Sequence, residues 1–248
     1  MKKFILFAIT FFIISSSSLS AAELSGEEIL RRIDLNYSAK NSVSTSTMIV
    51  KGRRANRTIK SKSWAIGDEK AFTEYLSPPR EKGIKMLKIK DELWTWSPST
   101  DRTIKIAGHM LRQSLLGSDI SYEDFMEDPK LQNLYDSKVI GEERIYTRDC
   151  YILELNAKVA RIAYNKRKIW VDKERFIALR EELFAKSGKL LKRLKVMEVS
   201  KVDDRWYPKN MIFKDVLKKG DGTQLIINSI EFNVKIPVHL FTKASLRR

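Results

Sequence analysis

From residue 45 onward apolar and polar side chains alternate with a period of two, which limits this chain to a predominantly β fold. Stretches at 45–54, 57–66, 69–77, 83–90, 92–97 and 102–107 read as strands. Gly67-Asp68, Ser77-Pro78-Pro79, Lys90-Asp91 and Ser97-Pro98-Ser99 supply turns between them. Connections this short make consecutive strands pair as hairpins, so the sheet is a meander. Alternation resumes at 137–143, 149–157, 166–172, 175–185, 189–201, 206–217 and 223–234. In the last of these, Ile226, Ile230, Phe232 and Val234 share one parity, the mark of a half-buried strand.

Three segments depart from the pattern. Residues 26–40 read as a helix: Ser25 is placed to cap it, Glu27 and Glu28 suit its first turn, and Ile29, Leu30, Ile33 and Tyr37 form an apolar stripe. Residues 108–135 do not alternate; Met110, Leu111, Leu115 and Leu116 look helical and predict a short helical insertion over the sheet. The tail from Pro237 to Arg248 reads as a turn or short helix. Around a dozen antiparallel strands must roll up, close or split into two layers. The expected fold is mainly β, a strongly curved antiparallel half-barrel of about 11 strands with short helices as a lid over an apolar cavity. Neither an internal repeat nor a linker rich in Pro, Gly or Ser divides the chain, so 23–248 is expected to be one domain.

Residues 1–22 carry the marks of a cleavable signal peptide. Lys2 and Lys3 precede an apolar run of 11 residues, Phe4 to Ile14, and Ser20 and Ala22 suit the cleavage positions. That run falls short of the roughly 20 residues a membrane span needs. The expected location is the periplasm. Cys150 is the lone cysteine, which leaves stabilisation to the core and not to disulfides. The formal net charge of +16 would suggest nucleic acid in the cytosol, but export argues against that partner. Basic residues alternate with apolar ones along strands, as in Ile104-Lys105-Ile106. They suit either a solvated sheet face or transient contact with anionic membrane surfaces.

Catalysis finds little support. His109 and His239 are the two histidines, so no zinc site of familiar spacing can be written, and no Gly-x-Ser-x-Gly elbow or phosphate-cradling glycine loop occurs. Asp119, Ser121, Glu123 and Asp124 miss the EF-hand register, and Asp119 or Ser121 is better read as a helix cap. Glu181-Glu182 and Asp203-Asp204 read as solvated pairs. No catalytic residue, metal or cofactor is expected, and the chain is expected to be a monomer. A carrier for hydrocarbon fits better: exposing a sixteen-carbon chain to water costs on the order of 12 kcal/mol. Trp64, Met86, Trp94, Trp96, Ile104, Ile106, Trp170 and Ile226 are the candidate lining of a lipid cavity, although a Met or Trp on a strand is more often plain core.

Four stretches carry a family likeness: Tyr75-Leu76-Ser77-Pro78-Pro79-Arg80-Glu81-Lys82-Gly83, Leu93-Trp94-Thr95-Trp96-Ser97-Pro98, Leu115-Leu116-Gly117-Ser118-Asp119-Ile120-Ser121-Tyr122-Glu123-Asp124 and Leu240-Phe241-Thr242-Lys243-Ala244-Ser245-Leu246. Together they resemble the outer-membrane lipoprotein-sorting (LolA/LolB-like) superfamily, in particular its longer branch found beside RND and MMPL-type exporters. The resemblance implies a helix-lidded half-barrel that passes lipid, or the acyl chains of lipoproteins, between inner-membrane machinery and the outer membrane. An RND/MMPL-type or ABC transporter is the implied partner. Gly117, Ser118, Asp119, Tyr122, Glu123 and Asp124 are the candidate docking residues for it. No lid-gating residue is carried across. The alternative is a non-transporting envelope scaffold, glycan-binding or regulatory to an exporter, displaying its tryptophans outward.

Overall fold

In the computed structural model, which describes residues 24–52 and 55–247, the alternating stretches all enter one antiparallel sheet. The first meander comprises β1 (Asn41–Val50), β2 (Arg57–Ile66), β3 (Lys70–Ser77), β4 (Lys85–Ile89), β5 (Glu92–Ser97) and β6 (Arg102–Ile106). The second comprises β7 (Tyr135–Ile145), β8 (Arg148–Ala157), β9 (Lys166–Asp172), β10 (Ala178–Phe184), β11 (Leu190–Val202), β12 (Arg205–Asp215) and β13 (Thr223–Phe232). Their order is β6-β5-β4-β3-β2-β1-β13-β12-β11-β10-β9-β8-β7, so pairing of the first and last strands fuses the meanders. The strand count is thirteen, not about eleven. Even the five-residue β4 and β6 join the sheet, because tight hairpins leave them no other partner. The sheet is not closed: β6 and β7 are its edges.

Helix α1 (Gly26–Tyr37) is shorter than 26–40, since strand β1 begins at Asn41, ahead of the expected 45. The run from Ser42 to Thr47 is polar apart from Val43 and so shows no apolar alternation, yet β2 and β13 pair with it on both sides. Ser25 caps α1, its Oγ accepting the Glu28 N–H at 3.2 Å. Ile29, Leu30 and Ile33 are buried against Leu153, Leu155, Ile169 and Val171 of β8 and β9. The insertion between the two meanders holds two 3₁₀ turns and two short helices, α2 (Tyr122–Met126) and α3 (Leu131–Leu134). The tail folds as two further 3₁₀ turns, Val238–Phe241 and Lys243–Leu246.

Curvature follows from what the insertion touches. Lys88 of β4 donates to the Met126 carbonyl at 3.1 Å, and Arg167 of β9 pairs with the next residue, Glu127. Eight strand steps separate β4 from β9 in the sheet order, about 38 Å if the sheet were flat. Two neighbouring residues reach both strands because the sheet curls around them. Among the described residues no helix is long and apolar enough to cross a membrane. The signal-peptide residues 1–22 lie outside the described residues.

Candidate functional site beneath the insertion

Strand register assigns each side chain to a face, since directly opposed residues of an antiparallel pair point the same way. Met48, Ile59, Tyr75, Met86, Leu93 and Ile106 lie on the helix-covered inner face of β1–β6, where Leu115 and Ile120 of the insertion pack on them. Tyr122, Phe125 and Met126 lean on the same cluster. The opposite, outer face carries an unbroken ladder from β1 to β5: Val43 opposes Trp64, Trp64 opposes Phe72, Phe72 opposes Leu87 and Leu87 opposes Trp94. The tail seals that ladder with Ile236, Phe241 and Leu246.

The eight candidate cavity residues therefore divide. Met86 and Ile106 are buried on the inner face, and Ile104 shares it near the β6 edge but is 45% exposed. Trp64, Trp94 and Trp96 belong to the tail-covered outer face. Trp170 points away from the α1 side of β9; its Nε1 donates to Glu143 at 2.6 Å, and the Arg180 guanidinium stacks 3.6 Å from its ring centre. Ile226, opposite Thr47 and Asn210, faces away from its inner-face neighbours Leu225 and Ile227.

What periodicity missed is a set of polar residues on the inner face that hold the insertion down. Lys192 donates to Ser121 Oγ at 3.1 Å and pairs with Asp124, whose other oxygen accepts from the buried Tyr164 hydroxyl. Arg167 meets Glu127, reaches Glu181 at 3.4 Å and donates to the Tyr135 hydroxyl at 2.8 Å. Asp119 accepts from Thr223 Oγ1 at 2.8 Å and from the Asp215 N–H at 3.0 Å. Lys218 donates to Ser114 Oγ and to the Ser118 carbonyl, both at 2.5 Å, and Arg57 donates to the Leu116 carbonyl. Ser121 and Asp124 form a reciprocal capping box that starts α2. Gly117 has φ +74°, and a Cβ there would stand 3.2 Å from the Arg57 guanidinium, so glycine suits the turn.

Burial shapes these charges. It pushes the Glu181 carboxyl up, with Glu127 adding to the rise and Arg167 opposing it. Burial alone would lower Arg167, but Glu127, Tyr135 and Glu181 hold it well above its ordinary value. The Tyr164 hydroxyl is driven up by burial and by the adjacent Asp124 carboxylate. On α1, Asp34 is almost wholly buried and accepts the Leu131 and Gln132 N–H groups at 3.1 and 3.2 Å, capping α3. Burial raises it to about 6. Glu181 is thus an inner-face partner of Arg167 and not the solvated residue its place beside Glu182 suggested.

Of the candidate docking residues, Ser118 and Asp119 are buried, Asp119 turned toward β12 and β13 and Ser118 bonded within the insertion to Ile120, while Tyr122, Glu123 and Asp124 are half-buried and Gly117 is exposed. Among the described residues no three His, Cys, Asp or Glu side chains form a metal-holding group.

A thirteen-stranded open sheet, curled round a helical insertion that joins its two edges, defines the LolA-like fold class, and solved structures bear this out. A DUF1329 family protein from Desulfovibrio piger superposes with a TM-score of 0.81 at 23% identity, covering 89% of this chain and 97% of that one. A structure described as an outer membrane lipoprotein-sorting protein domain from Vibrio parahaemolyticus gives 0.76 at 22% identity, over 90% and 98% of the two chains. A LolA superfamily protein from Nitrosomonas europaea gives 0.75 at 22% identity, over 90% and 100%. The family model that matches residues 67–248 carries the description "Uncharacterized protein", and the chain belongs to that family. Comparison with curated proteins finds no match.

Proposed function

We propose that this protein is a periplasmic carrier that shelters acyl chains of a lipid or lipoprotein against the inner face of its curled sheet. It passes them between inner-membrane machinery, an RND-type transporter among the candidates, and the outer membrane. The observation that carries the reading is the composition of the insertion's seat. Apolar residues (Met48, Ile59, Tyr75, Met86, Leu93) fill its floor, while six polar residues around that floor hold its cover down. A purely structural cover would need no buried charges, since apolar residues of equal volume hold as well or better. In the closed form Leu115 and Ile120 occupy the floor. Each contributes about 2 kcal/mol by its burial, against on the order of 12 kcal/mol for a sixteen-carbon chain, so cargo can replace them.

A non-transporting scaffold is the second reading, favoured by that same occupation of the floor. A photoreactive acyl lipid added to the full-length protein separates the two. Labelling on the strands of Met48, Tyr75 and Met86, together with lipid that co-purifies from periplasm in native mass spectra, is the expected result. No co-purifying lipid, with labelling absent or confined to the outer face, removes the carrier reading.

A further inference from the structure

At one rim of the sheet a notch of about 410 Å³ opens where five parts of the chain meet. Lys40 precedes β1, Gly67 and Asp68 form the β2–β3 turn, Lys130 precedes α3 in the insertion, Arg205 starts β12 and Asn233 follows β13. Its walls are fixed by backbone. The Gly67 N–H donates to the Lys40 carbonyl at 2.9 Å, the Lys40 N–H to Asn233 Oδ1 at 3.2 Å, and the Asn233 N–H to the Asn41 carbonyl at 2.9 Å. Three cations converge on it against one carboxylate, and that carboxylate is taken: Asp68 pairs with Lys130 at 2.6 Å. Arg205 donates one N–H to the Ser38 carbonyl and lies over the Phe232 ring. Lys40 has no ion-pair partner among the described residues. Like charges gathered in a concavity repel one another until an anion enters, and a notch of this size admits a small ligand.

We infer that this notch binds a phosphate group. Its assignment to the headgroup phosphate of an acyl lipid rests on the carrier reading; the anion site itself stands on the notch's own geometry. Lys130 gives the site a consequence, because it belongs to the insertion and ties it to the β2–β3 turn through Asp68. A phosphate competing for Lys130 loosens that tie, so headgroup capture and release of the cover are coupled.

The test titrates the full chain with inorganic phosphate and, separately, with vesicles of phosphatidylglycerol and of phosphatidylcholine. Three proteins are compared: the native one, Lys40→Gln and Lys40→Gln/Arg205→Gln. The pair Lys82→Gln/Lys186→Gln, exposed elsewhere, serves as the charge-matched control. Removing one charge-assisted contact is expected to weaken phosphate binding about tenfold, and removing two further still, with the control unchanged. Lys40 is exposed, so its single variant keeps the test valid even where the double variant fails to fold. Loss that extends to phosphatidylglycerol vesicles supports the lipid source; binding of inorganic phosphate alone supports the anion site and removes the lipid. Equal loss in the control, or no loss in Lys40→Gln, overturns the inference. Photolabelling of the inner face is read in the same variants. If it persists while anion binding never depended on the notch, the notch fails and the carrier stands; if it never occurs while phosphate binds, the reverse holds.

Discussion

The sheet has two apolar faces, and they are covered in opposite ways. On the outer face the tail lies on the Trp64–Phe72–Leu87–Trp94 ladder through Ile236, Phe241 and Leu246, and its hydroxyl contacts, Thr242 and Ser245 to the His239 carbonyl, stay within the tail. Lys243 sits 4.2 Å above the Trp94 ring centre, a cation–π contact with the sheet. On the inner face the insertion also buries apolar side chains, but charged and hydroxyl groups of β2, β4, β9, β11 and β13 bind it as well. Apolar contact is non-directional and survives small shifts. Hydrogen-bonded ion pairs in low dielectric hold one geometry and fail together when a partner leaves. The outer cover is held by contact that tolerates shifts and the inner one by directional bonds, which on the carrier reading give it a defined open–closed difference.

The largest effect expected is from Arg167→Met. It strands Glu127 and Glu181 without their cation, and breaking a buried pair this way costs about 4 kcal/mol. Urea unfolding at pH 7 measures it. Glu181 is already pushed up by burial and loses its opposing cation, so it climbs further and the deficit shrinks as the pH falls and that carboxyl protonates. A loss under 1 kcal/mol, or one independent of pH, would mean the inner cover is held by apolar contact like the outer one. Next comes Leu246→Ala, fully buried in the outer cluster. It should cost about 3 kcal/mol as a cavity, with no pH dependence. Hydrogen exchange should rise in the tail and stay unchanged in residues 115–127; opening of both covers together would dissolve the distinction.

How much of this was legible in the residues differs by face. Period-two alternation located the strands to within a few residues, Ser25 announced its cap, and of the two candidates Asp119 and Ser121 for the other it is Ser121 that caps α2. Pairing of β1 with β13 was not legible, because closure of two meanders by their first and last strands leaves no local signal. In Leu93-Trp94-Thr95-Trp96 both parities are apolar, since β5 is buried on both sides, and the larger tryptophans drew the cavity reading while Leu93 faces the insertion. The polar anchors did leave a trace. Arg167 shares parity with Ile169 and Val171, Lys192 with Leu190 and Leu194, Lys88 with Met86, and Glu181 with Leu183. A charge on the apolar parity of a strand must either be paired beneath something or be exposed, and here each has a partner.

Asp34 supplies the smallest and most pointed test, because it joins α1 to α3 without any cation in the pair. Its folded-state value of about 6 lies above the ordinary 3.8, so the folded protein binds the proton more tightly than the unfolded chain. The sign is therefore opposite to that of a salt-bridged aspartate. Stability from this group is lowest above pH 6, grows as the pH falls through 6 toward 4, and levels off once the unfolded chain also protonates. Between pH 7 and 5 the gain amounts to about 1 kcal/mol. Asp34→Asn removes the titration while keeping one acceptor for α3, so the native-minus-variant difference, followed by urea unfolding across that range, should rise on acidification. A flat difference would place Asp34 near the ordinary carboxylate value and leave α3 without a pH-dependent tie to α1. A rise accompanied by slower exchange of the Leu131 and Gln132 amides would locate the effect at the helix cap, and it would add protonation to the means by which the inner cover, but not the outer one, is held in place.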